Sequence, residues 1–411
     1  MISHRVHRVN REGRKPADIT CDFLRLLRKN LQVISSLAVL SVGSSDPDFL
    51  ECSGERVREN HKSGKSGSVL IVVLWVIGLL SMFVMAFAFD MHIEARIVST
   101  WRKKIKAEYL SRAGIELARM ALLETSDPEV TNPEVSGYVA NGSDADRRSA
   151  TVSLARGGGA ELTRELGDGT ISVHIRPENA RINLNSIIDP NNRDDTFQLW
   201  EPLFETAGVP FDVRDTLIDC LIDWIDQDEL THLNGVESEY YQGLSPPYQS
   251  KNAPIDTLDE LALIKGFDEY IPDTTQTVYE AVSRFLTTYA EDRTLNINAA
   301  GYDTLMAFLN IDEQLAEEII WQRFGPDGEP GTEDDTPFKD LNDLLARVPA
   351  LNQSVGPYVT FTSQGRFYVQ SSGKVGDIER ICACVLLLSE KNLTVLSWVE
   401  GDLASIELIT R

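Results

Sequence analysis

Between Lys65 and Asp90 no charged residue occurs, and residues 69–89 read VLIVVLWVIGLLSMFVMAFAF. About 20 consecutive apolar residues cross a bilayer core as a helix, with every backbone polar group paired internally. The run predicts a transmembrane helix over residues 68–89. It is too long for the apolar part of a cleaved signal peptide, and no small-residue cleavage site follows it. Beyond Asp90 the pattern turns amphipathic. Ile93, Ile97, Trp101, Ile105, Tyr109, Ala113 and Leu117 recur every fourth residue, leaving Arg102, Lys103, Glu108, Arg112 and Glu116 on other faces. No proline or turn cluster intervenes before Asp127-Pro128, so one helix of about 85 Å is expected, at 1.5 Å per residue. Its second half is expected to pack on a soluble domain.

Residues 126–149 are rich in Pro, Asn, Gly, Ser and Asp and predict a loop. Residues 150–155 and 171–175 alternate as strands, with a turn at Gly167-Asp168-Gly169 between them. Residues 184–349 then show helical runs with capping residues and few strand signals. Strands return after Tyr358, at 365–369, 377–388 and 393–399. The pattern predicts an α+β fold in which a large α-helical insertion interrupts an antiparallel sheet behind the long helix. The expected divisions are 1–67, 68–89, 90–186, 187–354 and 355–411. Inside the insertion, residues 257–266 and 298–323 resemble helix-hairpin-helix or SAM-like units. Such units often grip DNA through a glycine-rich hairpin, but here the second hairpin reads Leu309-Asn310-Ile311-Asp312-Glu313 and is acidic. Packing modules are expected instead. Trp224 and Trp321 are expected in the core.

Charge sharpens this division. The 411 residues carry 39 Lys and Arg against 63 Asp and Glu, a net of −24. Residues 1–67 hold 12 basic and 8 acidic residues, so the rest of the chain stands at −28. A surface so acidic repels a phosphate backbone, which argues against nucleic acid as a partner. Basic residues flank the apolar run on both sides, so the positive-inside rule gives no orientation. The five cysteines include no Cys-x-x-Cys pair, and zinc is not expected. Cys382 and Cys384 fall on one face of a strand, where a disulfide would strain the backbone; they read as small buried hydrophobes.

The densest polar constellation is Asp223, Asp226, Asp228, Glu229, Asn234, Glu237 and Glu239. Asp219, Asp223 and Asp226 share a helix face and meet a loop closed by Asn234-Gly235. So many oxygen-bearing side chains repel one another unless solvated or gathered on a cation, and calcium prefers six to eight oxygens in a flexible loop. A second acidic loop, GPDGEPGTEDD over residues 325–335, offers Asp327, Glu329, Glu333, Asp334 and Asp335. It misses the EF-hand spacing, and a second ion or a solvated turn fits it equally well. Gly64-Lys65-Ser66 imitates the end of a phosphate loop, but Glu59 stands where the opening glycine belongs. No nucleophile–base pairing stands out, and no enzymatic activity is expected.

A short basic stretch ending in Gly67, then a small residue and an unbroken apolar helix, resembles the start of type IV prepilins. That resemblance implies cleavage by a prepilin peptidase between Gly67 and Ser68. Residues 1–67 then fit either an extended leader or a translation start further downstream. Most such proteins carry Glu as the fifth mature residue; here Val72 occupies that place. The segment LIDWIDQDELTHLNGVESEYY (221–241) is followed by Pro246-Pro247-Tyr248, Asn252, Pro254 and LDELALIKG (258–266). With ARINLN (180–185) and LNINA (295–299), these stand in the order found in the large minor pseudopilins of type II secretion, the protein K family.

The resemblance implies a pilin-like fold and a place at the tip of a short fibre that exports folded proteins. A subunit without the fifth-position carboxylate suits the first place, because it has no neighbour ahead whose buried amino terminus it must offset. It also implies calcium near Asp226, Asp228, Asn234, Glu237 and Glu239. The implied partners are two smaller minor pseudopilins of I and J type, the prepilin peptidase and the inner-membrane secretion assembly. The implied setting is a single-pass inner-membrane protein with a cytoplasmic N-terminus and a periplasmic soluble domain. A minor pilin of a type IV pilus or DNA-uptake system, with its hairpins on nucleic acid, is the alternative.

Overall fold

The computed structural model describes residues 66–125, 150–325, 335–390 and 392–401. The chain divides into two compact units, one ending at Ser81 and one starting at Met82. Helix α1, Ser66–Glu124, contributes to both. In the first unit its side chains from Leu70 onward are exposed apolar residues, Val72 and Trp75 among them. Among the described residues this is the helix long and apolar enough to cross a membrane.

In the second unit the end of α1 packs on a five-stranded sheet. The strands are β1 Ala160–Leu166, β2 Gly169–Pro177, β7 Arg366–Val375, β8 Ile378–Ser389 and β9 Asn392–Gly401. Their order is β1-β2-β7-β8-β9, antiparallel throughout. Ala107, Leu110, Ile115, Ala118, Ala121 and Leu122 bury against Ile171, Val173, Ile175, Phe367, Val369 and Leu386. Cys382 and Cys384 lie on that same face of β8 as free, buried thiols, as their spacing suggested, and burial pushes both up to about 12. Small residues set the approach. A Cβ on Gly114 would strike Ser371, Ile171 and Val173, and one on Gly373 would enter the backbone of α1 at Ala107 and Ser111.

Two expectations are corrected here. The every-fourth-residue stripe meets the sheet only at its end: Ala113 and Leu117 pack against the core, while Ile93, Ile97, Trp101, Ile105 and Tyr109 are exposed, Tyr109 by 65%. Close packing selected the face on which Ala107, Ser111 and Gly114 let Leu110, Ile115 and Leu122 reach the sheet. Residues 150–155 are helical, not extended. Ala150, Thr151 and Leu154 are buried at helical spacing, and that burial outweighs the strand preference of Thr and Val.

Between β2 and β7 lies the helical region. Its helices are α2 Arg193–Ala207, α3 Phe211–Ile225, α4 Ser238–Gln242, α5 Val278–Ser283, α6 Tyr302–Leu309, α7 Glu313–Phe324 and α8 Leu341–Arg347. They close a core of their own around Trp200, Phe204, Phe267 and Phe285. Two short parallel pairs tie its ends together: β3 Ile182–Asn183 with β4 Leu286–Thr287, and β5 Leu295–Asn296 with β6 Val359–Thr360. The asparagines of the two sequence motifs act as clamps. Asn185 donates to Ile255 O and accepts from Ile255 N, both at 2.9 Å. Asn298 donates to Phe338 O (2.9 Å) and Phe361 O (3.0 Å) and accepts from Phe338 N (2.8 Å). Each amide thus satisfies backbone groups of a distant segment that would otherwise be buried unpaired. Trp224 is core as expected, but Trp321 is 55% exposed on α7, so its helical spacing misplaced it. In the α6–α7 hairpin Asn310 takes the left-handed turn (φ 50°) and Asp312 caps α7.

Candidate functional site: the acidic turn after α3

Helix α3 buries Leu217, Ile218, Leu221, Ile222 and Trp224, and the same packing draws Asp219 and Asp223 under cover. Each buried acid has its own partners. Arg193 Nε donates to Asp219 Oδ1 at 2.5 Å, while Asn234 reaches Asp219 Oδ2 through its backbone N (3.1 Å) and its Nδ2 (3.0 Å). Asp223 accepts from His232 N at 3.2 Å and lies 2.5 Å from His232 Nδ1. A Cβ at position 235 would collide with the Asp223 carboxylate, which is why glycine stands there. Together these bonds wrap residues 226–237 over the end of α3.

The wrap gathers carboxylates. One ligand atom each from Asp226, Asp228 and Glu237 lie within 4.8 Å of one another, and so do atoms of Asp223, Asp226 and His232. Glu237 is only 6% exposed. Its Oε2 accepts from Ser250 at 3.2 Å. Ser238 and Asn252 both donate to Glu229 Oε1, at 3.2 and 3.1 Å. Asn252 also anchors by its backbone, donating to Trp224 O at 2.9 Å. Behind the loop, Tyr241 meets Trp224 edge-on with ring centroids 5.1 Å apart and stacks on Tyr248 at the same separation. Tyr241 and Tyr248 form an aromatic wall with Trp224, while Tyr240, the other tyrosine of the motif pair, is exposed.

Electrostatically the cluster is short of positive charge. Burial, helped by Asp223, raises the Glu237 carboxyl to about 7. Burial, then Asp228 and Asp223, raises Asp226. Asp223 is raised by burial despite His232. Three buried acceptors have no donor: Asp226 Oδ1, Glu237 Oε1 and Asn252 Oδ1. Orphaned buried oxygens of this kind are rare in folded proteins and fit a cation. Carboxylate and amide oxygens are hard donors, which suits calcium rather than zinc or copper. The residues present fit the group.

Of the five residues the sequence singled out, Asp226, Asp228 and Glu237 come together. Asn234 does not: its side chain is spent on Asp219. Glu239 is exposed; it shares a recess of about 410 Å³ with Glu237, Glu229, Thr231 and Tyr240 but is not among the three gathered carboxylates. The sequence reading passed over His232 and Asn252, although both stand among the motif residues. In the second acidic loop, Asp327, Glu329, Glu333 and Asp334 lie outside the described residues; Asp335 lies inside them.

This arrangement has relatives. Residues 180–291, which hold the whole acidic turn, match the family described as type II secretion system (T2SS), protein K. Over these residues the chain is similar to the protein K family. The chain is 26% identical to type II secretion system protein K of Pseudomonas aeruginosa over 220 residues, covering 53% of this chain and 61% of that protein. With protein K of Klebsiella pneumoniae it shares 31% over 141 residues, 32% and 40% of the two lengths. With the putative protein K of Escherichia coli K12 it shares 25% over 210 residues, 50% and 59%. The chain thus spans about two fifths to three fifths of the length of these curated relatives. Its fold resembles a chain in the crystal structure of the GspK-GspI-GspJ complex from the enterotoxigenic Escherichia coli type 2 secretion system, with a TM-score of 0.51. That likeness covers 75% of this chain and 99% of that one at 18% identity. It concerns the fold alone.

Proposed function

We propose that this chain is a minor pseudopilin that begins the tip of a type II secretion pseudopilus, the fibre by which folded proteins are moved across the outer membrane. The observation that carries the reading is the protein K turn and its asparagine clamps set inside a pilin-like sheet behind one long apolar helix. In this reading α1 holds the protein in the inner membrane, N-terminus cytoplasmic, with the soluble part in the periplasm. A prepilin peptidase cuts between Gly67 and Ser68. Val72 then leaves the subunit without the carboxylate that would pair with a neighbour's new amino terminus, so it stands first. Two smaller minor pseudopilins of I and J type complete the tip complex, and the inner-membrane assembly adds further subunits. The role is structural, not enzymatic. The acidic hairpin of α6 and α7 gives no support to the DNA-uptake alternative.

Calcium, when bound, supplies the positive charge that the acidic turn lacks. Asp226, Asp228 and Glu237 would hold it with carboxylate oxygens, and Asn252 adds an amide oxygen nearby. Asp219 and Asp223 keep the loop wrapped through Arg193, Asn234 and His232.

The test is deletion and complementation. Loss of the gene should abolish export of the organism's type II substrates, and the full chain should restore it and co-purify with two smaller pseudopilins. Normal secretion by the deletion strain, or tight binding of DNA at low salt by the purified chain, would sink the proposal.

A further inference from the structure

Asn234-Gly235 closes the acidic turn, and the structure gives a separate reason for each residue. Position 234 donates twice to one buried oxygen: its backbone N and its Nδ2 both reach Asp219 Oδ2, at 3.1 and 3.0 Å. Asp219 is 1% exposed, and its other oxygen takes Arg193 Nε. Position 235 must lack a side chain, because a Cβ there would meet the Asp223 carboxylate and stand 3.1 Å from Asp219 O. A short amide donor followed by a residue without Cβ is asparagine–glycine. This is also the pair in which the backbone closes most readily on the side-chain amide, since no Cβ hinders the approach of the glycine N to the asparagine Cγ. Both atoms belong to one chain, so the reaction needs no partner beyond water.

In the wrapped turn both reacting groups are engaged. Gly235 N donates to His232 O at 3.1 Å, and the Asn234 amide nitrogen is held on Asp219. His232 is tied in turn to Asp223, its N at 3.2 Å. The hold is local. Asn234 is exposed, as are Thr231 and Leu233, the last by 95%. The tip of the turn is therefore kept closed by hydrogen bonds rather than by apolar burial, which places it among the segments that open without global unfolding.

We propose that Asn234-Gly235 is a self-modification site, at which opening of the acidic turn is made permanent by deamidation. Once the turn opens, the Gly235 nitrogen bonds to Asn234 Cγ and the Cγ–Nδ2 bond breaks. The glycine proton passes through water to the departing amide, which leaves as ammonia. Water then opens the five-membered imide. Attack at Cγ restores the normal backbone with aspartate at 234; attack at the main-chain carbonyl carbon leaves isoaspartate, with the chain running through the former side chain. One amide and one water become one carboxylic acid and one ammonia, with no oxidation or reduction. The product lacks the amide donor that Asp219 Oδ2 accepts from and sets a like charge beside it. Isoaspartate also adds a main-chain atom inside the wrap. Either product keeps the turn from closing as before. The proposal is independent of the secretion role and of whether the turn holds a cation.

The full chain is incubated in detergent at mildly alkaline pH, native and in urea, then digested and mapped by mass spectrometry. Asn141-Gly142, its second such pair, is scored apart. At residue 234 the unfolded chain should convert about tenfold faster than the native one or more, because only opened molecules react. Hydrogen exchange reads the consequence. Asn234→Asp, which makes one of the two products directly, should lose about tenfold in protection across residues 226–237 and leave that of the sheet unchanged. Should that variant not fold, the converted fraction of the native protein, separated by charge, carries the same measurement. No conversion at 234 in urea, equal rates for native and unfolded chain, or unchanged protection of the turn in the converted protein would each overturn the proposal.

Discussion

Replacing Gly373 by alanine tests how α1 is held to the sheet. Gly373 lies on the central strand β7, and a Cβ there would stand 2.5 Å from Ser111 N and 2.8 Å from Leu110 Cβ, with Ala107 O nearer still. Two of these atoms are helix backbone and the glycine sits mid-sheet, so neither side can yield by turning a rotamer. Its φ is not among the positive values, so alanine meets no backbone strain there. Overpacking of this kind costs about 1–3 kcal/mol. Alanine also stiffens the unfolded chain, which returns about 0.4–1 kcal/mol. The balance is a loss of about 1–2 kcal/mol, roughly a 5–30-fold change in the folded ratio. The assay is hydrogen exchange on the full chain in detergent. Amides of β7 and of α1 after Ala107 should lose protection, while those of α2 and α3 keep it. Unchanged or increased protection in β7 would refute the close approach and leave only the unfolded-state term.

Four further outcomes are expected. Val72→Glu should alter incorporation at the fibre tip and reduce secretion in a complementation assay; unaltered secretion counts against the tip reading. Calcium at a hundred times its dissociation constant should stabilise the chain by about 2.7 kcal/mol over chelator, and Asp226→Asn should remove most of that shift in thermal midpoint. Arg193→Ala strands the Asp219 carboxylate, 1% exposed. Because Arg193 is itself a third exposed, the loss should be about 2 kcal/mol rather than the 3–5 of a fully buried pair, read from denaturant unfolding. The hydrogen bond from Arg112 holds Glu400 below the usual carboxylate range. Its contribution is therefore present above the unfolded value of about 4.3 and is lost as pH falls through the folded one. Glu400→Gln should flatten that acid limb of the thermal midpoint, and an unchanged limb would discount the pair.

The long helix, the interrupted sheet and the strands of the C-terminal part were legible because each rests on a run whose period is set by one surface. The buried face of α1 was not. Counting large apolar residues points to Ile97, Trp101 and Tyr109, whereas the contact is made by Leu110, Ile115 and Leu122 at a face where Ala107, Ser111, Gly114 and Gly373 allow the close approach, and those small residues are not marked by bulk. Residues 150–155 were misread for a related reason: β-branched alternation is a local signal, and the burial of Leu154 is a tertiary one. In the acidic turn the sequence supplied the acids but could not divide them. Asp219 and Asp223 turn inward onto Arg193 and His232, and only the wrap of the loop shows that Asn234 serves Asp219 while Glu237 joins Asp226.

Pro177 on β2 sits opposite Phe367 on β7, 190 residues later in the chain. Joining these strands directly would cost a loop-closure entropy of about 4.7 kcal/mol on a flexible-chain estimate. The helical region has its own core, and its parallel pairs β3–β4 and β5–β6 draw its two ends together. If it forms first, the connection between β2 and β7 is short, and their pairing becomes a fast local event. A lesion in that core should slow closure of the sheet even where no residue of the sheet has changed. In that order the rate at which the pilin-like half becomes competent would be set by the half that interrupts it.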